Sequence, residues 1–357
     1  MNRVELAEAC AARWSELGLR WAVVHGLEGY PHALGRDIDI LVHPADLDPM
    51  IESAIEVLTE SGFDVGRPPD IWGKRVVGFN GNEAIEIHAV TKISWREIGL
   101  AEEPQSTEMH GPFPVDTWAA LAKQVVLPAW AGETERAGAV LPGHRPESLA
   151  SSTDDRPVKR LILEALGPPG DPERSIRQLV EVRGAAARMS WALDPIDSTR
   201  RAARVVLTKA LPFVRPSGLV IEIDGSDANA LAEVIEALDK GRRSIFTSVR
   251  VARFGEVSGA LSSLVSALAD RAFIRQQTVL FRIGTSGQDG TADWISALSL
   301  GPNRRLQPPI YLDFGNGRAP ARGLVLDVAG MSPQTVAATI WQVVESRFTA
   351  VFPPMAG

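Results

Sequence analysis

The chain has 357 residues, a hydrophobic content of 45%, a charged content of 23% and a formal net charge of -7. These values are ordinary for a globular protein of roughly two or three domains, and they exclude a chain that is disordered throughout. The acidic balance disfavours nucleic acid as a partner, and the single cysteine, Cys10, excludes an internal disulfide. The N-terminal pattern is not that of a signal peptide and no apolar run approaches membrane-spanning length, so we expect a cytoplasmic protein without a membrane partner.

Helices and strands are predicted throughout the N-terminal part of the chain. The patterns predict, in order, a helix over 3–17, strands over 21–25 and 37–42, a helix over 44–62, strands over 74–79 and 83–90, and a helix over 116–130. Asn80-Gly81 separates the last two strands and is a strong hairpin signal. Asp116 is the expected N-cap of the last helix.

Two aspartates stand out in the second strand, which reads Asp37-Ile38-Asp39. Because side chains alternate across a strand, both carboxylates lie on one face. Aspartate is a poor strand former, and two adjacent carboxylates repel each other unless cations lie between them. A bound divalent metal is therefore the best interpretation, and Glu86 on the hairpin strand is expected to lie beside the pair as a third carboxylate.

These residues also carry a resemblance to a known family. His25-Gly26, Asp37-Ile38-Asp39 and Ile85-Glu86-Ile87 together resemble the pattern of the nucleotidyltransferase superfamily, over about the first third of the chain. The stretch that ends at His88 is similar to the uncharacterised members that act on small molecules. The resemblance implies an α/β nucleotidyltransferase fold on a mixed sheet. Leu27 departs from the small residue expected after the glycine.

The resemblance implies a metal-dependent site. Asp37 and Asp39 are expected to hold two Mg²⁺ (or Mn²⁺) ions roughly 3.5 to 4 Å apart, and Glu86 is expected to complete the site or to accept the proton of the acceptor hydroxyl. His25 and His88 are interpreted as packed or hydrogen-bonded residues, because magnesium prefers oxygen ligands.

Nucleotide binding is assigned to one glycine and three cations. Gly26 is expected to let the backbone approach the triphosphate, and Arg36, Lys74 and Lys123 are the predicted nucleotide-binding cations. The expected reaction moves a nucleoside monophosphate from a nucleoside triphosphate to a hydroxyl of a small molecule or peptide, and releases pyrophosphate. Two alternatives stay open: glycosyl transfer from a nucleotide sugar on the same fold, and a non-catalytic nucleotide-binding or assembly protein. The sequence is also compatible with a homo-oligomer.

The rest of the chain divides into two parts. Residues 131–155 are rich in Gly, Pro, Ser and acids and are interpreted as a mobile connection, and helices are predicted over 156–166, 173–189 and 196–211. From residue 212, strands over 219–223, 243–251, 278–283, 310–314 and 323–328 alternate with helices over 228–239, 257–272 and 333–347, which predicts a parallel α/β domain. The predicted domains are therefore 1–130, 131–211 and 212–357.

The C-terminal part resembles a thymidylate-kinase-like domain, with LVIEIDGSDANALAEVIEAL in the place of a phosphate-binding strand, turn and helix. A working phosphate loop needs a lysine and a hydroxyl at the start of the helix. Here Asp227-Ala228-Asn229 occupies that position, and no lysine lies between Lys209 and Lys240. The resemblance therefore implies a kinase-like fold without a working P-loop.

Overall fold

A computed structural model gives the fold. The structure describes residues 1–35, 37–68, 70, 73–80, 83–105, 108–144, 156–167, 171–203, 219–240, 248–253, 278–283, 306–315 and 323–353. Contacts divide the chain into two units, residues 1–63 with 70–207, and residues 64–69 with 208–357. Within the described residues, no helix is both long and apolar enough to cross a bilayer.

Up to residue 193, the described N-terminal part of the chain contains nine strands and seven α-helices. A further helical segment covers residues 195–203, which overlaps the predicted helix over 196–211. The strands are β1 (Trp21–His25), β2 (Asp37–Val42), β3 (Asp64–Gly66), β4 (Gly73–Asn80), β5 (Glu83–Val90), β6 (Ile93–Trp95), β7 (Ile98–Ala101), β8 (Glu108–His110) and β9 (Phe113–Val115). The helices are α1 (Arg3–Glu16), α2 (Leu47–Glu60), α3 (Thr117–Leu121), α4 (Leu127–Ala131), α5 (Thr134–Val140), α6 (Pro157–Leu166) and α7 (Pro172–Leu193). Between α3 and α4, the turn Ala122–Val126 is π-helical.

A mixed sheet of seven strands is the frame of this part, in the order β3-β4-β5-β2-β1-β9-β8. Strands β2 and β5 run parallel to each other, β1 runs antiparallel to β2 and parallel to β9, and β4 runs antiparallel to β5. The predicted bounds of β1 and β2 are confirmed, and the predicted hairpin strands become the antiparallel pair β4 and β5. The Gly81 position of the predicted turn lies outside the described residues.

The two faces of this sheet have different partners. One face carries Ile38, Ile40 and Ile87, all nearly inaccessible to solvent, and helices α1 and α2 cover it. The edge-to-face contact of Trp14 with Trp21, with ring centroids 5.0 Å apart, belongs to this layer. The other face is polar at the beginning of β2, where Asp37 and Asp39 lie, and apolar toward the end of the strand, at Leu41.

The helical section after residue 130 joins the core of the first unit. A single cluster of buried side chains includes Val24 and Leu41 of the sheet together with Trp130, Ile162 and Leu179 of the helices. The interpretation of residues 131–155 as a mobile connection is wrong for 134–140, because these residues form α5 and bury Ala137. Residues 145–155 lie outside the described residues. The predicted helices near 156–166 and 173–189 are confirmed as α6 and α7.

The second unit is built on a five-stranded sheet. Its strands are β10 (Leu219–Gly225), β11 (Ser248–Arg253), β12 (Thr278–Ile283), β13 (Leu306–Asp313) and β14 (Leu324–Asp327), in the order β11-β12-β10-β13-β14. All four neighbouring pairs are parallel. Helices α8 (Ala228–Lys240) and α9 (Pro333–Val351) are the described helices of this unit. The α/β class and the parallel C-terminal sheet are confirmed, whereas the predicted helix over 257–272 lies outside the described residues.

Candidate functional site

A row of polar side chains crosses four strands of the first sheet. Asp39 of β2 is paired with His88 of β5 on one side and with His25 of β1 on the other, and Arg75 of β4 is paired with His88. Paired residues of neighbouring strands project from the same face. The register of β1 shifts between Val23 and His25, and this irregularity gives His25 the same face as Asp39.

Two of these side chains, together with Asp37 of β2, form a group that could hold a metal ion. The ligand atoms of His25, Asp37 and Asp39 all lie within 4.8 Å of one another. Among the described residues, no other group of three or more His, Cys, Asp or Glu side chains is placed to hold a metal ion. Two carboxylate oxygens suit Mg²⁺ or Mn²⁺, whereas an imidazole nitrogen is a less usual ligand for Mg²⁺ than for transition metals. The donor set therefore fits a divalent cation, and His25 belongs to it although the sequence analysis excluded this residue as a ligand.

Gly26 brings the β1 loop directly against the start of β2. Its φ of 101° is in the region that favours glycine, and a Cβ at this position would collide with the carbonyl oxygen of Asp37. The Gly26 carbonyl also accepts a hydrogen bond of 2.9 Å from the Gly35 N–H. The close approach therefore requires glycine, and it holds the turn after β1 against the backbone that carries the two aspartates.

Asp39 is buried, and cationic groups surround its carboxylate. The residue is 4% exposed. His88 Nδ1 lies 2.8 Å from Asp39 Oδ1, and Lys123 Nζ and His25 Nδ1 lie 3.4 Å and 3.6 Å from Asp39 Oδ2. Burial alone would raise the pKa of Asp39, but the charge of Lys123 and the hydrogen bond and charge of His88 outweigh it and hold the pKa well below its usual range. Asp39 is therefore ionised at neutral pH.

His88 connects Asp39 to a second buried carboxylate. Its Nε2 lies 2.8 Å from Asp70 Oδ2, and Arg75 approaches the same oxygen of Asp70 at 3.1 Å. Because carboxylates only accept hydrogen bonds, two such contacts favour a doubly protonated ring. Burial by itself lowers the pKa of His88, but its contacts with Asp39 and Asp70 outweigh this effect and raise the pKa. His88 is hydrogen-bonded, as the sequence analysis predicted.

Glu86 is held by Arg75. The Arg75 Nε atom lies 3.2 Å from Glu86 Oε1, and Glu86 is 3% exposed. The register pairs Glu86 with Asp37, so it lies on the face of the two aspartates, one strand away. The three-residue group that could hold a metal contains His25 in the place expected for Glu86. The metal-binding and catalytic roles of Glu86 remain predictions.

The predicted nucleotide-binding cations fall into three different settings. Lys123 lies beside Asp39, as described above. Lys74 forms an ion pair with Asp48 of α2, on the face of the sheet that the helices cover, so the geometry does not bring it to the site. Arg36 lies outside the described residues.

A cavity of about 510 Å³ opens next to His25 and Gly26. Apolar side chains of β1, β9 and α3 line part of it, among them Val23, Val115 and Ala120. The polar lining includes Glu28, Glu108, His110, Gln124 and His144. The cavity has the size of a small-molecule site and adjoins the His25 end of the metal-ligand group.

Three residues of the site, His25, Asp70 and Arg75, were not predicted to belong to it. His25 precedes the motif glycine and could have been found from its position, but Asp70 lies in an irregular segment and Arg75 belongs to no motif of the sequence. Their convergence depends on how β4 pairs with β5, and Arg75 meets His88 only through that register. A charged residue on a buried strand was the available signal for Arg75.

The turn after β10 in the second unit has a different chemistry. The Asp227 carboxylate accepts hydrogen bonds of 2.8 Å and 3.1 Å from the backbone N–H groups of Asn229 and Ala230 at the start of α8. These are the groups that would bind a phosphate at the N-terminus of a helix. An exposed carboxylate therefore occupies the position that a phosphate would need.

Comparison of the chain with models of protein families, with curated proteins and with solved structures found no match.

Proposed function

We propose that the chain is an Mg²⁺- or Mn²⁺-dependent nucleotidyltransferase that moves a nucleoside monophosphate from a nucleoside triphosphate to a small molecule or peptide. The observation that carries the proposal is the position of Asp37 and Asp39 on one strand face, directly under the Gly26 turn. Carboxylates that gather beside a glycine turn and a lysine suit a metal-bound triphosphate. In this proposal, residues 1–130 supply a nucleotidyltransferase fold.

Each residue of the site has a defined task in this reaction. Asp37, Asp39 and His25 would hold the cation, which when bound stabilises negative charge on the reacting phosphate and activates the acceptor hydroxyl. Gly26 would hold the β1 turn close to the bound triphosphate, because only glycine lets this turn pack directly against the Asp37 backbone. The buried contact with His88 fixes the orientation of Asp39, so the carboxylate needs little rearrangement when it binds a ligand.

The cavity beside Gly26 is the proposed acceptor site. It lies on the opposite side of His25 from His88 in the row of polar side chains, and its polar lining residues Glu28, Glu108 and Gln124 could hydrogen-bond hydroxyl or amino groups. Among the described residues that line it, none is a lysine or arginine. The triphosphate is therefore better matched to the region of Lys123 than to this cavity.

The second unit is proposed to be a degenerate thymidylate-kinase-like domain. Its parallel sheet and the strand, turn and helix of β10 and α8 fit that resemblance. The Asp227 cap opposes phosphate binding at the turn. We assign this unit a structural or assembly role, and the assignment is compatible with a homo-oligomer.

A non-catalytic nucleotide-binding or assembly protein is the second candidate function. It is favoured by the cations Lys123 and His88 beside Asp39 and by the Arg75 contact of Glu86, because these contacts neutralise both carboxylates within the chain. Metal-dependent nucleotide binding without turnover would favour this candidate.

The experiment is to incubate the purified chain with Mg²⁺, a panel of nucleoside triphosphates and nucleotide sugars, and small-molecule extracts of its host, and to measure product masses. We expect a product heavier by one nucleoside monophosphate, together with pyrophosphate. An added hexose would instead identify glycosyl transfer. The Asp39→Asn variant is the control, since it keeps the size of the side chain and removes its charge. A product formed equally well by that variant would overturn the proposed mechanism.

A further inference from the structure

Lys123 lies in an unusual part of its helix. The turn Ala122–Val126 is π-helical, and the Leu127 N–H donates to the Ala122 carbonyl across five residues. In a regular α-helix, consecutive side chains point about 100° apart. Here Lys123 and Gln124 both reach the first sheet, since Lys123 Nζ lies 3.4 Å from Asp39 Oδ2 and Gln124 Nε2 donates to the Val24 carbonyl at 2.9 Å. Single π turns occur frequently at functional sites.

Among the cations that the structure describes next to Asp39, Lys123 is the one that can move away. His88 is 8% exposed and lies between two carboxylates, Asp39 and Asp70, so its position is fixed. Lys123 carries its charge at the end of a flexible four-carbon chain, and its side chain is 32% exposed. Asp39 therefore has one fixed and one exchangeable cationic partner.

The exchangeable partner meets Asp39 at the carboxylate oxygen that also faces His25. Lys123 and His25 both approach Oδ2 of Asp39, whereas His88 approaches Oδ1. A divalent cation held by His25, Asp37 and Asp39 would lie within a few ångströms of the Lys123 ammonium, and like charges at that separation repel strongly. Binding of the divalent cation to Asp39 is therefore weaker while the Lys123 ammonium stays beside the same carboxylate.

We propose that Lys123 is an exchangeable counter-ion of Asp39, which a divalent cation displaces and which then binds the triphosphate that arrives with the metal. The inference rests on the proposed metal site, and it adds to that site a specific role for the π-helical turn. Two effects of opposite sign follow. The Lys123 charge weakens binding of the bare metal, because it competes for Asp39, and strengthens binding of the metal–triphosphate complex, because it contributes a charge-assisted hydrogen bond to a phosphate oxygen.

The test compares the wild-type chain with Lys123→Met, a change that keeps the length of the side chain and removes its charge. Free Mn²⁺ is measured by electron paramagnetic resonance during titration with Mn²⁺ alone, and calorimetry measures binding of the Mn²⁺ complex of inorganic tripolyphosphate. We expect Lys123→Met to bind Mn²⁺ about tenfold more tightly and the tripolyphosphate complex about tenfold more weakly than wild type.

Two further variants serve as controls. Lys123→Arg keeps the charge and should bind Mn²⁺ as wild type does. Lys74→Met removes a lysine that is also paired with an aspartate but lies on the helix-covered face, so it should leave both affinities unchanged. Thermal unfolding checks that each variant is folded.

Equal Mn²⁺ affinity in wild type and Lys123→Met would overturn the exchange and leave the metal site intact. Unchanged binding of the tripolyphosphate complex would overturn the transfer of Lys123 to phosphate. If folded samples of neither protein bind Mn²⁺, both the exchange and the metal site of the proposed function are refuted. The failure of this inference is therefore distinct from the failure of the proposed function.

Discussion

Asp39 and Asp227 each lie where the sequence suggests phosphate chemistry, but their surroundings differ. Asp39 is 4% exposed and has the Lys123 ammonium and the imidazole rings of His25 and His88 around its carboxylate. Asp227 is exposed and accepts hydrogen bonds from the first N–H groups of a helix. The comparison teaches that an aspartate beside a glycine turn can either attract cations to a site or fill an anion site itself, and only its partners decide between the two.

The largest expected effect separates these two aspartates directly. Asp39→Asn should lower metal-dependent pyrophosphate release by about 1000-fold, because metal catalysis of this kind supplies several kcal/mol that depend on the ligand charge. Asp227→Asn should leave the rate unchanged. The measurement is pyrophosphate release under saturating Mg²⁺ for both variants. Equal effects of the two substitutions would show that Asp39 and Asp227 do not differ in their role in the reaction.

Removing His88 should destabilise the first unit. His88→Gln takes the cation from between Asp39 and Asp70, and breaking a buried ion pair costs about 3 kcal/mol. Denaturant unfolding measures the loss, and His32→Gln is the control because His32 is exposed.

The same variant tests the charge on His88. The folded-state pKa of His88 is raised, so its contribution is fully present below the unfolded pKa of about 6.5 and is lost as pH rises through the folded-state pKa. The stability difference between wild type and His88→Gln should therefore be larger at acidic pH than at strongly alkaline pH. A difference that stays constant or grows with pH would mean that His88 is neutral in the folded chain.

Substitution by alanine should destabilise the chain more at Gly26, in the turn beside Asp37 and Asp39, than at Gly225, which ends β10 shortly before Asp227. Gly26→Ala adds a Cβ that collides with Asp37 and forces a positive φ on alanine, so we expect a loss of about 2 kcal/mol or more. At Gly225 the nearest atom to an added Cβ is Phe314 Cε2, 3.0 Å away, and a shift of this partly buried ring by a few tenths of an ångström would relieve the contact at a cost of about 1 kcal/mol. Thermal and denaturant unfolding of the two variants gives the comparison, and an equal loss at both positions would contradict it.

The smallest expected effect concerns the helix cap of the second unit. Asp227→Ala removes the acceptor of two backbone N–H groups at the start of α8 and should cost about 1 kcal/mol. Amide hydrogen exchange in α8 should accelerate accordingly, and the nearby Asn229→Ala is the matched control. Protection of α8 that does not change in Asp227→Ala would show that the carboxylate does not cap the helix.

The fold was predictable where the sequence pattern is strong. The bounds of β1 and β2 could be predicted because each strand is an aliphatic run with glycines or charged residues at its ends. The pairing of β4 with β5 could be predicted from the hairpin signal Asn80-Gly81. The short strands β6 to β9 were missed, because a strand of three or four residues has too little alternation to detect. Helix α5 was missed because its glycine and small residues are typical of loops.

The site was predictable in part, for a different reason. Side-chain alternation places Asp37 and Asp39 on one face from sequence alone. The contacts of His88 with Asp70 and of Arg75 with Glu86 depend on strand register and on an irregular segment, which tertiary packing determines. The approach of Lys123 depends on a π-helical turn that leaves no mark in the hydrophobic pattern.

The central claim is that the Asp37 and Asp39 face holds a divalent cation together with a nucleotide. Isothermal titration calorimetry of each nucleoside triphosphate, with and without Mg²⁺, tests it most directly in the wild-type chain and in Asp39→Asn. We predict that at least one nucleotide binds wild type only when Mg²⁺ is present, and that Asp39→Asn abolishes this binding. Binding that is independent of Mg²⁺, or identical in the variant, would contradict the account.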